Sequence, residues 1–138
     1  MRRAVVVADG HLQVEAALGS LSAAGFEAVA VGGAAEIRPQ VELGATVVVM
    51  GAAEGDVDPA RAAVLAAMPS GLRRSCVAVL IGAGPATGDG LRAFMLGVDL
   101  VVAAGDFARV GELAGAAVAA KRALVAPLDP VAAGRLGG

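Results

Sequence analysis

The stretch Thr46-Val47-Val48-Val49-Met50-Gly51 decides the fold. It is a run of β-branched and aliphatic residues with no polar alternation, and it ends on glycine. Such a run reads as a strand buried on both faces, which belongs in the middle of a parallel sheet covered by helices. In sheets of that kind, chemistry sits just beyond the carboxyl ends of the central strands. Here that end offers Met50, Gly51, Ala52 and Ala53, without a carboxylate, hydroxyl, thiol or imidazole.

Working outward, residues 4–8 (Ala-Val-Val-Val-Ala) form a second apolar run that stops at the turn signal Asp9-Gly10. Val14, Ala17, Leu18 and Leu21 recur at helical spacing, and Gly25 supplies a left-handed cap. Residues 26–31 alternate more and read as a strand nearer an edge. Residues 34–43 make a weak helix that Pro39 should shorten or break. Asp58-Pro59 is a helix start, with an aspartate cap and proline in the first turn, and that helix ends at Pro69-Ser70-Gly71. Residues 75–81 are the fourth strand, followed by the glycine-rich loop 82–88. Asp89 opens a short helix carrying Leu91, Phe94, Met95 and Leu96. Residues 98–102 are the fifth strand, and Asp106 caps a last helix reaching about Leu124. Five strands alternating with five helices imply parallel strands, right-handed crossovers and a three-layer α/β sandwich. The expected organisation is one domain over 1–126 and a flexible tail over 127–138.

Composition narrows the function classes. The chain has 138 residues, a net charge of -2, one cysteine and no Trp or Tyr. It carries no basic stripe with aromatic platforms, so no nucleic-acid partner is expected. Arg73-Arg74, an internal basic doublet, reads as a solvated helix end. Cys76 reads as a small buried hydrophobe, and a lone cysteine fits a reducing cytoplasm. No apolar run approaches the roughly 20 residues of a membrane span, so neither a membrane partner nor a signal peptide is expected. The expected location is the cytoplasm of a bacterium.

The five βα units, the short first strand, the Gly97-Val98-Asp99 approach to the fifth strand and the final helix resemble the receiver domain of bacterial response regulators of two-component systems. That resemblance implies a flavodoxin-like sheet of order 2-1-3-4-5. It also implies an active site made of an acidic pair after strand one, a phosphoacceptor aspartate after strand three, a hydroxyl after strand four and a lysine after strand five. Of these, Asp9 alone is kept, as a remnant of the acidic pocket. Met50 or Gly51 stands at the acceptor position, Gly82 at the hydroxyl, and Val102 or Ala103 at the lysine; Lys121, the sole lysine, lies far along the last helix. Phosphoryl transfer needs a nucleophile, a cation held by oxygen ligands and neutralisation of developing charge. The expectation is therefore a non-catalytic pseudo-receiver, a signalling or scaffolding module without metal or cofactor. The resemblance places its protein-binding surface, including a possible homodimer contact, on helix four, strand five and helix five: Leu91, Arg92, Met95, Ala103, Ala104, Phe107 and Arg109.

The alternative from another class is a cobalamin- or nucleotide-binding carrier using Asp9-Gly10-His11. Cobalamin domains of this fold class place a ligating histidine in an Asp-x-His-x-x-Gly loop. His11 fits that pattern, but Val14 occupies its glycine position. An exposed first-turn histidine is the simpler reading. Gly82-x-Gly84 matches neither a dinucleotide fingerprint nor a P-loop. Asp56 and Asp58 read as a solvated loop and a helix cap, and Arg109 and Glu112 as the solvent face of the last helix.

Overall fold

Each apolar run is a strand in the computed structural model, which describes residues 2–8, 12–52, 57–82 and 86–137. In chain order the elements are β1 (Arg2–Val7), α1 (Val14–Ala23), β2 (Phe26–Val31), α2 (Ile37–Glu42), β3 (Ala45–Gly51), α3 (Pro59–Ala67), α4 (Ser70–Arg74), β4 (Val77–Gly82), α5 (Gly90–Leu96), β5 (Leu100–Ala103), α6 (Val110–Val125) and α7 (Pro130–Gly137). The strands are all parallel and lie in the order β2-β1-β3-β4-β5. This is a flavodoxin-like α/β fold, a five-stranded sheet between helical layers.

The pleat explains why these strands lack polar alternation. Successive side chains point to opposite faces. Ala4, Val6, Val47, Val49, Val77 and Val79 join one core, under α1, α6 and α7. Val5, Val7, Val48, Met50, Ala78 and Leu80 join the other, under α2, α3 and α5. Every residue of β3 and β4 is buried, as their sequences require. Thr46, the polar member of the opening stretch, sits at a register shift. Arg3 pairs with Ala45 and Ala4 with Val47, so Thr46 is the extra residue of a bulge, its hydroxyl donating to the Arg3 carbonyl at 3.3 Å.

Several expectations need correction. The helix expected over 34–43 is shortened, with a 3-10 turn at Ala34–Glu36 and α2 only over Ile37–Glu42, but Pro39 does not break it: it lies in the first turn of α2, where backbone N–H groups have no intrahelical partner to lose. Pro69-Ser70-Gly71 ends α3 but also starts the short helix α4. Asp58 makes no side-chain cap to α3, whereas Asp89 accepts from the Arg92 amide at 3.0 Å and caps α5. Asp106 does not cap the last helix either. A 3-10 turn, Ala104–Arg109, comes first, and α6 begins at Val110.

The largest correction is the C-terminal segment, expected as a flexible tail over 127–138. It contains α7, which buries Ala132, Ala133 and Leu136. Asp129 accepts from the Ala132 amide at 3.1 Å and pairs with Arg74 at 2.9 Å. Full burial of a leucine contributes about 1.5–3 kcal/mol, so Leu136 favours the docked helix. Asp129-Pro130 repeats the start pattern of Asp58-Pro59; that was the legible signal.

On the same face, α6 presses directly on α1. A Cβ on Gly111 would stand 2.1 Å from the Ser20 carbonyl oxygen, so a hydrogen is all that fits there. The Ser20 hydroxyl completes the seam, accepting from the Gly111 amide at 2.9 Å and donating to the Ala108 carbonyl at 3.0 Å.

Candidate functional site

At the carboxyl ends of β3 and β4 the chain closes on itself with small groups. Met50 and Gly51, at the expected acceptor position, are both buried, Met50 among the apolar side chains under α3 and α5. The Ala52 amide donates to the Ile81 carbonyl at 2.8 Å, which carries the β3–β4 contact one residue past the strand. A Cβ at Gly82 would lie 2.8 Å from the Ala52 methyl, so glycine is what lets the two strand ends approach. The hydroxyl position of the resemblance is therefore a steric seam. Asp9, Gly10 and His11, together with Ala53, Asp56, Ala83 and Gly84, lie outside the described residues.

A hydroxyl does reach this end of the sheet from further along the loop. Thr87 Oγ1 accepts from the Ala103 amide at 2.9 Å and donates to an Asp106 carboxylate oxygen. The Gly88 amide donates to the Val101 carbonyl at 3.0 Å. Thr87 and Gly88 thus fasten the approach to α5 onto β5 and the turn that follows it. With both its donor and an acceptor site in use, the Thr87 hydroxyl is a structural tie. Thr87-Gly88 was visible in the sequence; that its partners would be Ala103 and Asp106 was not.

The expected interaction surface falls on both sides of that tie. Leu91 and Met95 on α5 are 70% and 68% exposed, one turn apart, while Ala93 faces the core. Phe94 was not among the expected surface residues, yet at 83% it is the most exposed aromatic. Arg92 is half-buried, Ala103 closes β5 and Ala104 is exposed. Phe107 belongs elsewhere, half-buried and packed against the core beneath α6. Arg109 is exposed and lies 3.5 Å from Glu112 on the solvent side of α6, as expected.

A largely buried group of charges lies at the opposite end, before β4 and β5. Asp99 accepts at one carboxylate oxygen from Arg73 at 2.8 Å and from the Ala78 amide at 2.7 Å; at the other it accepts from Lys121 at 3.0 Å. Lys121 also donates to the carbonyls of Arg73 and Cys76, at 3.1 and 2.6 Å. Arg73 reaches the carbonyls of Cys76 at 3.3 Å and Gly97 at 3.2 Å. The side chains of Lys121, Arg73 and Asp99 are 16%, 21% and 23% exposed, so water contributes little. Burial holds the Lys121 ammonium below its ordinary range, Asp99 only partly restoring it and Arg73 opposing it. Burial also works against the Arg73 charge, but there Asp99 prevails and the guanidinium is held above its ordinary range. The Cys76 thiol is fully buried and pushed up by desolvation, against the pull of Arg73 and Lys121.

Two sequence expectations change here. Arg73-Arg74 is no solvated doublet, since Arg73 is locked to Asp99 and Arg74 to Asp129. Lys121, remote from any site in the sequence, is the cation that joins α6 to the starts of β4 and β5. Asp99, Lys121 and Arg73 each make at least three of these polar contacts, so the group clamps α4 and α6 to the starts of β4 and β5.

Among the described residues no helix is long and apolar enough to cross a membrane, and no group of three or more His, Cys, Asp or Glu could hold a metal ion. Compared with known proteins, the chain matches no family, no curated protein and no solved structure.

Proposed function

We propose that the protein is a non-catalytic pseudo-receiver, a signalling or scaffolding module that works by binding another protein. The observation that carries this reading is the seam between Ala52 and Gly82, backed by buried Met50, at the end of the sheet where an α/β fold places its chemistry. Apolar and glycine residues fill positions where a phosphoacceptor and its hydroxyl partner would stand. The hydroxyl that reaches this end of the sheet from the loop, Thr87, is bound to Ala103 and Asp106. The exposed aliphatic side chains of Leu91 and Met95 supply a surface for a partner to desolvate.

Acetyl phosphate or beryllofluoride with Mg²⁺, read by intact mass and amide NMR, tests the reading. The expected outcome is no adduct and no chemical-shift change confined to the ends of β1 and β3. A phosphoryl adduct on any aspartate would overturn it. On the binding side, Met95→Asp is expected to weaken partner capture at least tenfold. Asp9→Ala is expected to change it by less than about threefold, under ~1 kcal/mol.

A further inference from the structure

Where the ends of α3 and α5 meet the short helix α4, the surface opens into a cleft of about 380 Å³. Small-molecule pockets hold about 300–1,000 Å³ and are lined mostly by apolar groups with a few polar ones. This cleft has that make-up. Leu65, Ala66, Met68 and Leu96 line it, and its polar side chains are those of Ser70 and Arg73. Leu65 and Met68 are buried in the core under α3 and α5, Leu96 packs against that core, and Ala66 is exposed at the mouth.

The charge beside the cleft fixes the sign of what it can hold. Arg73 and Lys121 share a single carboxylate, Asp99, so two cations stand against one anion. Arg73 donates through Nη1 to Asp99 and to the Cys76 carbonyl, and through Nη2 to the Gly97 carbonyl. A guanidinium carries five N–H donors. Those three bonds leave the Nε–H and one Nη2 hydrogen for a further acceptor, and the side chain is 21% exposed. An ionised oxygen acceptor is the strongest partner for such donors, and a carboxylate matches the guanidinium fork in shape. Ser70 stands one turn before Arg73 on α4 and adds a hydroxyl on the same side of that helix.

We propose that this cleft binds a small aliphatic carboxylate, its chain against Leu65, Met68 and Leu96 and its head at Arg73. The site lies at the amino end of the sheet, away from the Ala52–Gly82 seam, and goes beyond the reading of the protein as a docking module. Affinity is modest, about 0.1–1 mM for a ligand of roughly ten non-hydrogen atoms. It grows with chain length, because each added methylene leaves water.

Amide chemical shifts of the full chain, titrated with octanoate, give the test. Saturable shifts are expected at the ends of α3 and α5 and along α4, with octanoate at least threefold tighter than hexanoate. Octanol and octyltrimethylammonium, which keep the chain and lose the anion, should bind at least tenfold more weakly. Ala66→Trp fills the mouth from an exposed position and should weaken octanoate at least fivefold at an unchanged melting temperature. Arg73→Lys keeps a cation opposite Asp99 but loses the fork, and a similar weakening is expected. Should that variant fail to fold, the comparison with octanol and Ala66→Trp still decide. No saturable shift by about 10 mM octanoate, tenfold above the weakest affinity expected, overturns the proposal. So does octanol binding as tightly as octanoate, or a silent Ala66→Trp.

Discussion

The two ends of the sheet are built on opposite principles. At the carboxyl ends of β3 and β4, Ala52 and Gly82 approach so closely that a methyl group is excluded. At the amino ends of β4 and β5, three charged side chains and a buried thiol share a lattice of hydrogen bonds. In a parallel sheet the first end is where reactive groups are displayed and the second is where the fold is held together. Among the described residues, small and apolar groups close the first at β3 and β4, and a largely buried charge group holds the second. A buried cluster of ionisable groups is therefore not by itself a sign of chemistry. Its position relative to strand direction, and whether its donors are already used, decide that.

Asp99→Ala should break the comparison most forcefully. It leaves Arg73 and Lys121 facing each other without their anion and strips the Ala78 amide of its acceptor. Removing one member of a largely buried charge group costs about 3 kcal/mol, read as a shift in the urea midpoint. A D99A/K121M double variant should recover part of the loss. If D99A cost under ~1 kcal/mol, the clamp would be an ornament of the surface.

Gly82→Ala tests the other end. The new methyl would meet the Ala52 methyl at 2.8 Å, with the Ala52 carbonyl oxygen at 3.4 Å. Overpacking of this kind costs about 1–3 kcal/mol, and Ala52→Gly should relieve most of it. Rescue by that second change identifies a direct steric seam. A silent Gly82→Ala would mean that the strand ends part easily, leaving room for a ligand there.

The smallest effect concerns Asp129 and pH. The Ala132 amide and then Arg74 hold its carboxyl below the ordinary aspartate value of about 4. A carboxyl depressed by folding contributes stability that is present above its unfolded pKa and lost as pH falls through the folded one. Hydrogen exchange of α7 amides should accordingly accelerate on acidification below about pH 4. Asp129→Asn should flatten that dependence while leaving β3 and β4 amides unchanged. An unchanged acid profile in the variant would mean that α7 is held by Leu136 and its alanines alone.

The layered fold was legible because its signals are local. Unbroken apolar runs at β1, β3 and β4 fit only strands covered on both faces, and Gly25, Gly44 and Gly97 mark their turns with positive φ, as such turns require. Strand order came with the resemblance, and the tertiary pairing agrees with it. The position of α7 was partly legible in Asp129-Pro130, but a segment rich in glycine and alanine carries too little periodicity to show which of its residues bury. The emptiness at Met50 and Gly51 could be read directly, since it depends on residue type at a strand end. That Gly82 meets Ala52, that Thr87 ties α5 to β5, and that Lys121 reaches Asp99 could not. Each joins residues 16 to 30 positions apart, through side-chain reach that no spacing rule encodes. Sequence by itself determined which stretches are strands and what their ends lack. Only the packing of the layers decided which charges meet, because burial and pairing are properties of the neighbours the fold supplies.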